Sequence, residues 1–177
     1  MITNAQTGTN IQEIADGIYR INTPVALPGG PAFSFNQYLL VDDEPLLFHT
    51  GPRRMFPLVR DGEQIVLGRH TLQWFDTPHV PHGWDCGLLM DITSATFFCG
   101  DLFTQPGHGE QALTEGDIFG PSETSRQSMD YYAHTPQTLA TLARLAEQKP
   151  RTLACMHGSA WRGDGATLLR ALAKSLG

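Results

Sequence analysis

Pairs of short apolar segments joined by turn-forming residues constrain the fold of this chain most strongly. Residues 17–22 alternate apolar and polar side chains, and 33–41 followed by 45–49 after an acidic turn predicts a β-hairpin. Two further pairs repeat this arrangement, namely 64–67 with 70–75 and 86–91 with 95–99. The sheet component of the fold is therefore substantial.

Amphipathic helices are predicted only in the last third of the chain. Thr135 can cap a helix in which leucines recur on one face until Pro150 stops it. The segment 151–156 reads as a buried strand, and a second run of leucines after Asp164 predicts a closing helix. The expected fold class is α/β, with these helices packed on sheets.

Composition excludes several classes of partner. The chain has 177 residues, of which 41% are hydrophobic and 17% charged, and this predicts one compact domain. Its net charge of -6, with scattered Lys and Arg, offers no basic stripe for nucleic acid. No apolar run is long enough for a membrane span or a signal peptide, so we expect a soluble, cytoplasmic protein without a membrane partner. Three cysteines are expected to be reduced.

Three side chains with metal-binding chemistry follow predicted strands. His82, Asp101 and His157 each enter a loop where a strand ends, and loops at neighbouring strand ends can converge on one cleft. Two imidazoles and one carboxylate suit zinc, iron or manganese, because nitrogen and hard oxygen donors together satisfy borderline divalent cations. The two oxygens of a carboxylate can also hold separate metals, as in a binuclear centre. These three residues are the predicted metal ligands.

Each predicted ligand also has a purely structural interpretation. His82 can be a loop histidine bonded to nearby backbone, and Asp101 and His157 can belong to ordinary turns. His79 is interpreted as loop structure or an alternative ligand, and Asp85 as a residue that orients the His82 ring through its other nitrogen. The remaining histidines are interpreted as structural or exposed, namely His49, His70, His108 and His134.

The segments around these residues are similar to those of a known fold. Residues 35–41 (FNQYLLV) and 46–51 (LLFHTG) resemble the opening hairpin of the metallo-β-lactamase fold, where Asp-Thr-Gly is more usual than His-Thr-Gly. Residues 67–78 resemble the strand pair that leads to the third metal histidine of that fold. Residues 99–101 (CGD) stand where it has its bridging aspartate, and 157–162 (HGSAWR) resemble the segment with its last metal histidine.

Within this superfamily the chain resembles the oxygen-binding di-iron branch related to flavodiiron proteins. In that branch Asp or Glu follows the third histidine after three residues, which favours His82 with Asp85 over His79. The resemblance implies an αββα sandwich and binding or reduction of dioxygen or nitric oxide at non-haem iron. Iron is the implied cofactor, with two irons in the intact family, and zinc or manganese are alternatives. Reduction implies an external electron donor, since the sequence contains no flavin motif or rubredoxin-type cysteine pairs.

The main signature of that fold has no counterpart in the sequence. His-x-His-x-Asp-His, or the di-iron version His-x-Glu-x-Asp, normally precedes the strand pair, whereas here residues 55–60 lead directly into 61–63. We therefore expect an internal deletion near 60–62 within a single domain, 1–177, that lacks part of its N-terminal half. The deletion removes metal donors and uncovers an apolar sheet face, which favours homodimerisation.

Two alternatives to iron chemistry remain open from the sequence. Zinc bound by the same three residues would lower the pKa of a bound water molecule, and the protein would then be a hydrolase of esters or amides. A degenerate fold would bind one metal weakly and catalyse nothing, because two metals that share three donors are under-coordinated. The acidic loop 107–125 is expected to border the cleft in any of these cases.

Overall fold

Two stacked sheets form the centre of the molecule. The computed structural model describes residues 2–25, 29, 32–43, 45–48 and 60–177. The first sheet is antiparallel and has the strand order β1-β2-β3-β4-β5. Its strands are β1 (Ile2–Asn4), β2 (Thr9–Ala15), β3 (Ile18–Val25), β4 (Phe33–Leu40) and β5 (Leu46–Phe48).

The second sheet is mixed and has the strand order β10-β12-β11-β9-β8-β7-β6. Strand β11 runs parallel to β9, and β10 runs parallel to β12, whereas the other neighbours are antiparallel. Its strands are β6 (Gln64–Leu67), β7 (His70–Asp76), β8 (Gly87–Asp91), β9 (Thr96–Gly100), β10 (Leu113–Thr114), β11 (Thr152–Cys155) and β12 (Ala160–Arg162). The hairpins β4-β5, β6-β7 and β8-β9 confirm the three predicted strand pairs.

Two separate apolar cores hold the layers together. One lies between the sheets, and the other lies between the second sheet and the helices. The helices are α1 (Phe119–Met129), α2 (Thr138–Ala146) and α3 (Gly165–Leu176). The inter-sheet core is built largely from Ile14, Ile18, Tyr38, Leu40, Leu72, Leu89 and Phe98. These layers confirm the expected α/β class, with stacked sheets and outer helices.

The helices depart from the sequence prediction in two places. Helix α2 begins at Thr138, because Thr135 and Pro136 form a preceding turn in which Thr138 N donates to Thr135 O at 3.1 Å. Residues 119–125 belong to α1, although the sequence predicted a loop to 125. Helix α1 has Pro121 in its first turn and no continuous apolar stripe, so it lacks the periodicity on which sequence-based assignment relies. Helix α3 is confirmed, and Asp164 Oδ1 caps it by accepting from Thr167 N.

The predicted internal deletion adjoins a part of the chain that the structure leaves undescribed. Residues 49–59, including His49 and the Thr50-Gly51 pair of the family-like hairpin, lie outside the described residues. Residues 60–63 form a turn that leads into β6, with Glu63 N donating to Arg60 O at 2.9 Å. The deletion near 60–62 and the single-domain organisation stay predictions.

The outer face of the first sheet carries apolar side chains. Phe35 and Leu47 are 46% and 39% exposed, and they lie on the face opposite the buried Tyr38 and Leu40. Homodimerisation through this face stays a prediction. No helix in the described segments combines the length and apolar character needed to span a bilayer.

Replacing Phe98 tests the inter-sheet core. Phe98 is fully buried, and its ring centroid lies 5.6 Å from that of Tyr38 and 5.2 Å from that of Phe48. We expect Phe98→Ala to lower the free energy of unfolding by about 3–5 kcal/mol, because it leaves a cavity between the sheets. Urea denaturation measures the change, and Val66→Ala, at a position that is 72% exposed, should stay within about 0.5 kcal/mol of wild type. Equal effects of the two substitutions would contradict this core.

Candidate metal centre

The three predicted ligands meet at one edge of the second sheet. Asp101 follows the last residue of β9, and His157 follows β11 by two residues. Because β9 and β11 are parallel neighbours, both residues leave the sheet at the same end. His82 lies in the loop between β7 and β8, and the antiparallel pairing of β8 with β9 places this loop at that end too. The topology thus brings together residues that are far apart in sequence.

The edge of β4 positions His157. Among the described residues, strand β5 pairs with residues 38–40 of β4, and the loop after β11 bonds to the part of that edge that precedes them. Asn36 N donates to Met156 O at 2.7 Å, and His157 Nδ1 lies 2.6 Å from Ser34 O. The Asn36 side chain also donates to Gly158 O at 2.9 Å. These contacts fix the imidazole ring of His157 at the end of the first sheet.

A buried arginine holds the same loop from the inter-sheet space. Arg20 is 0% exposed and donates from Nη2 to Gly158 O at 2.9 Å and to Gly109 O at 2.6 Å. Its Nε donates to Asn36 Oδ1 at 3.0 Å. Burial lowers the pKa of Arg20, and its charge is directed to carbonyl and amide oxygens. Arg20 was not among the predicted site residues, although an arginine at an inward position of the alternating segment 17–22 was a visible signal.

Aromatic and backbone contacts hold His82. The Trp84 ring stacks on the His82 ring with centroids 4.3 Å apart and planes inclined by 18°. His82 Nδ1 lies 3.2 Å from Tyr131 O, in the segment between α1 and α2. The loop itself is closed where Thr77 N donates to Cys86 O at 2.9 Å. His82 is thus held on one ring face and at one ring nitrogen.

The Asp101 carboxylate lies between the two imidazoles. Its Oδ2 is 2.5 Å from His82 Nε2, and its Oδ1 is 2.9 Å from His157 Nε2. Burial raises the pKa of Asp101, but the facing His157 and His82 rings outweigh burial and hold the pKa well below its usual range. The Asp101 contact is also the largest cause of the raised pKa of His82.

One oxygen of this centre is not a satisfied acceptor. Asp101 Oδ1 is buried and has no hydrogen-bond donor of acceptable geometry among the described residues, although His157 Nε2 lies 2.9 Å from it. Ser34 O accepts at Nδ1 of His157, so Nδ1 carries a proton and Nε2 is the ring nitrogen that faces the carboxylate.

A small cavity opens beside this centre. Its volume is about 160 Å³. Within the described part of the chain, no three His, Cys, Asp or Glu side chains are arranged to hold a metal ion, since these donors face one another at hydrogen-bonding distance. The cavity is lined by Phe33, His82, Asp101, Thr104, Met129, Tyr131 and His157.

The other candidate residues are not among the described residues that line the cavity. His79 and Asp85 are exposed, and both ring nitrogens of His82 face Tyr131 and Asp101. His70 is buried and bonds Asp91 at 2.8 Å, which agrees with a structural role. No residue of the segment 107–125 lines the cavity. Its Asp117 accepts from Phe119 N at the start of α1, and its Glu123 pairs with Arg126.

An antiparallel sheet stacked on a mixed sheet, with helices on the second sheet, is the metallo-β-lactamase-like fold of flavodiiron cores. No protein-family model matches the sequence, and no curated protein matches it. The structure is similar to the Flv1 flavodiiron core from Synechocystis sp. PCC6803, with a TM-score of 0.72 and 14% identity over 95% of this chain and 60% of that one.

Two further solved structures are similar over most of this chain. A variant of the flavo di-iron protein from Thermotoga maritima has a TM-score of 0.73 and 15% identity, over 95% of this chain and 63% of that one. Rubredoxin oxygen:oxidoreductase from Desulfovibrio gigas has a TM-score of 0.72 and 15% identity, over 93% of this chain and 62% of that one. The chain spans less than two thirds of each of these proteins, and the likeness establishes the fold.

The raised pKa of His82 predicts a pH dependence of stability for the metal-free chain. The folded state binds the His82 proton more tightly than the unfolded state does. The stability that this proton contributes is therefore complete below about pH 6.5 and is lost as the pH rises through the raised pKa of His82 in the folded state. Urea denaturation between pH 5 and pH 9 should show stability falling with rising pH, and His82→Asn should reduce that slope. His134→Asn, which changes an exposed histidine beside Asp130, should leave it unchanged. Identical slopes for wild type and His82→Asn would contradict the His82–Asp101 contact.

The Arg20 contacts predict a large effect of a conservative substitution. Arg20→Lys keeps the charge but loses the planar fork that bonds Asn36, Gly109 and Gly158, so we expect a loss of roughly 2–4 kcal/mol in unfolding free energy. Arg170→Lys is the matched control, because Arg170 forms an exposed pair with Glu147 and should change stability by less than about 0.5 kcal/mol. Urea denaturation compares the two variants. Equal small losses would show that Arg20 does not hold the loop.

Proposed function

We propose that this protein binds a single iron ion through His82, Asp101 and His157 and uses it to bind dioxygen or nitric oxide. The observation that carries the proposal is the convergence of three donor groups: Nε2 of His82 and Nε2 of His157 both face the Asp101 carboxylate, and its buried Oδ1 has no hydrogen-bond donor among the described residues. A divalent cation held by these three residues would satisfy that oxygen. The similar proteins are flavodiiron proteins, and one of them is named an oxygen oxidoreductase, which supports iron and oxygen in this site.

The orientation of both imidazoles supports metal binding. Metal-bound histidines commonly donate their other ring nitrogen to a carbonyl or carboxylate, which fixes the tautomer that coordinates. Here Ser34 O and Tyr131 O lie at the two Nδ1 atoms, and both Nε2 atoms point to Asp101. The backbone therefore holds His82 and His157 in the orientation that a metal ion requires.

The number of donors favours one metal over two. His82, Asp101 and His157 supply two nitrogens and a carboxylate, the ligand set of mononuclear non-haem iron sites with open positions. A second metal would have to share these three residues and would lack ligands. Metal binding also requires the donor atoms to separate from 2.5 and 2.9 Å to about 3 Å, the spacing that metal–ligand bonds of about 2.1 Å impose.

The protein's own residues define how a small ligand reaches the centre. Met129 lies at the exposed end of α1, and Phe33 and Tyr131 form the apolar walls of the cavity. Thr104 donates to Asp101 O at 2.8 Å and so fixes the loop that carries the carboxylate. When bound, iron supplies open coordination positions and an electron for a diatomic ligand, and reduction requires an external electron donor.

Elemental analysis of protein expressed with iron and zinc supplied tests the proposal. We expect about one metal atom per chain, with iron preferred, and absorption changes on titration with nitric oxide. Asp101→Asn keeps the shape of the side chain but removes its charge, so it should weaken metal binding at least about 100-fold, and His157→Gln should do the same. His134→Gln is the matched control, because His134 forms an exposed pair with Asp130.

Each alternative has a distinct result in the same experiment. Wild-type metal content in Asp101→Asn would refute the site, and two iron atoms per chain would show that further donors complete a di-iron centre. Zinc in place of iron, together with ester or amide hydrolysis, would favour the hydrolase alternative. A chain that binds no metal would be the degenerate, non-catalytic protein.

A further inference from the structure

Two buried cysteines lie side by side near the strand ends of the second sheet. Cys99 belongs to β9 and Cys155 to β11, which is the parallel neighbour of β9, and both side chains are 0% exposed. Their sulfur atoms are 3.7 Å apart, although the two residues are 56 positions apart in the sequence. The fold thus brings two of the three cysteines of the chain into contact.

An irregularity in the pairing of β9 with β11 lies at this contact. Phe98 pairs with Ala154 and Gly100 pairs with Cys155, so β9 has one residue more than β11 between these two pairs, and that residue is Cys99. Such a bulge changes the direction of a side chain. Phe98 and Ala154 face the core between the sheets, whereas Cys99 and Cys155 face the core beneath the helices. Both thiols therefore lie on the same side of the sheet.

The spacing of the two strands suits a disulfide bond. Neighbouring strands lie about 4.8 Å apart. The Cα atoms of disulfide-bonded cysteines are usually about 4.4–6.8 Å apart, so strands at this spacing can be joined by the bond. The sulfur atoms of Cys99 and Cys155 have to approach from 3.7 Å to about 2.05 Å.

Hydrogen peroxide is a small oxidant that can convert such a pair into a disulfide. One thiol reacts with the peroxide, whose O–O bond breaks, and becomes a sulfenic acid while a water molecule is released. The sulfur of the other thiol then displaces the hydroxyl group as a second water molecule, and the S–S bond forms. The pair loses two electrons and two protons in total, and no metal ion takes part.

Burial makes this reaction slow. It raises the pKa of the Cys99 thiol well above its usual range, so the reactive thiolate is scarce. Because both thiols are fully buried, hydrogen peroxide reaches them when the structure opens locally. We therefore expect the bond to form over minutes to hours.

We propose that Cys99 and Cys155 form a reversible disulfide bond when the protein is exposed to peroxide, and that this bond locks β9 to β11. Asp101 follows Cys99 by two residues, and His157 follows Cys155 by two residues. The bond therefore joins the two strand ends that carry these side chains. A link between residues 56 positions apart also restricts the unfolded chain, which stabilises the folded protein. It needs no metal ion at the centre.

Peroxide treatment of the full chain with the substitution Cys86→Ser tests the bond. This variant keeps Cys99 and Cys155 as its only thiols. Thiol titration of the unfolded protein should detect both thiols before treatment and neither after it, and dithiothreitol should restore both. Digestion of the treated protein should give the peptides of Cys99 and Cys155 joined to each other, with the loss of about 2 Da that a disulfide causes.

Urea denaturation measures the locking effect. The midpoint of the oxidised protein should lie about 1 M above that of the same sample after reduction with dithiothreitol. Dithiothreitol does not reverse the oxidation of methionine, so this comparison isolates the disulfide. The matched control combines Cys86→Ser with Cys155→Ala, and its midpoint should not change on reduction because Cys99 has no partner.

The possible results separate the bond from its effect. Thiols that stay free after prolonged treatment, or that become acids which dithiothreitol does not reduce, would overturn the bond. Joined peptides without a rise in the urea midpoint would overturn the locking effect. Peptide mapping of the treated wild-type chain gives the same test without any substitution, and a disulfide that contains Cys86 there would contradict the pairing of Cys99 with Cys155.

Discussion

The Asp101 carboxylate between two imidazoles is the interaction on which the arrangement of the three loops depends. The oxygens of Asp101 face His82 at 2.5 Å and His157 at 2.9 Å, and each histidine is anchored at Nδ1 by a carbonyl from a different part of the chain. The loop after β7, the end of β9 and the loop after β11 therefore converge on one carboxylate. The pKa of Asp101 is low because of this pairing, despite burial.

A second constraint lies behind His157, where Arg20 occupies the space between the sheets. Burying a guanidinium is unfavourable unless its donors are satisfied, and here carbonyl oxygens of two loops accept from it. Arg20 Nη1 has no hydrogen-bond partner among the described residues, so one buried nitrogen of the guanidinium stays unsatisfied. The arginine connects the loops at Gly109 and Gly158, which ties the first sheet to the edge that carries the centre.

The fold is shared with flavodiiron cores at 14–15% identity, and neither of its two apolar cores contains His82, Asp101 or His157. Ile18, Leu40 and Phe98 close the space between the sheets, and the helices pack on the other face of the second sheet. A chain can therefore keep the sandwich while the number of metal donors at its edge changes, which limits what fold similarity says about chemistry.

The sequence by itself determined the strand pairs and the closing helix, because alternation, turn residues and the Asp164 cap are local signals. It did not determine α1, because this helix contains a proline and has no continuous apolar stripe from which a helix could be predicted. His82, Asp101 and His157 were predicted from their residue types and their positions after strands, and the structure brings the three side chains together. Only the tertiary structure decided that the backbone carbonyls of Ser34 and Tyr131 face the rings of His157 and His82. Every residue has a backbone carbonyl, so the sequence does not indicate which of them contact a side chain.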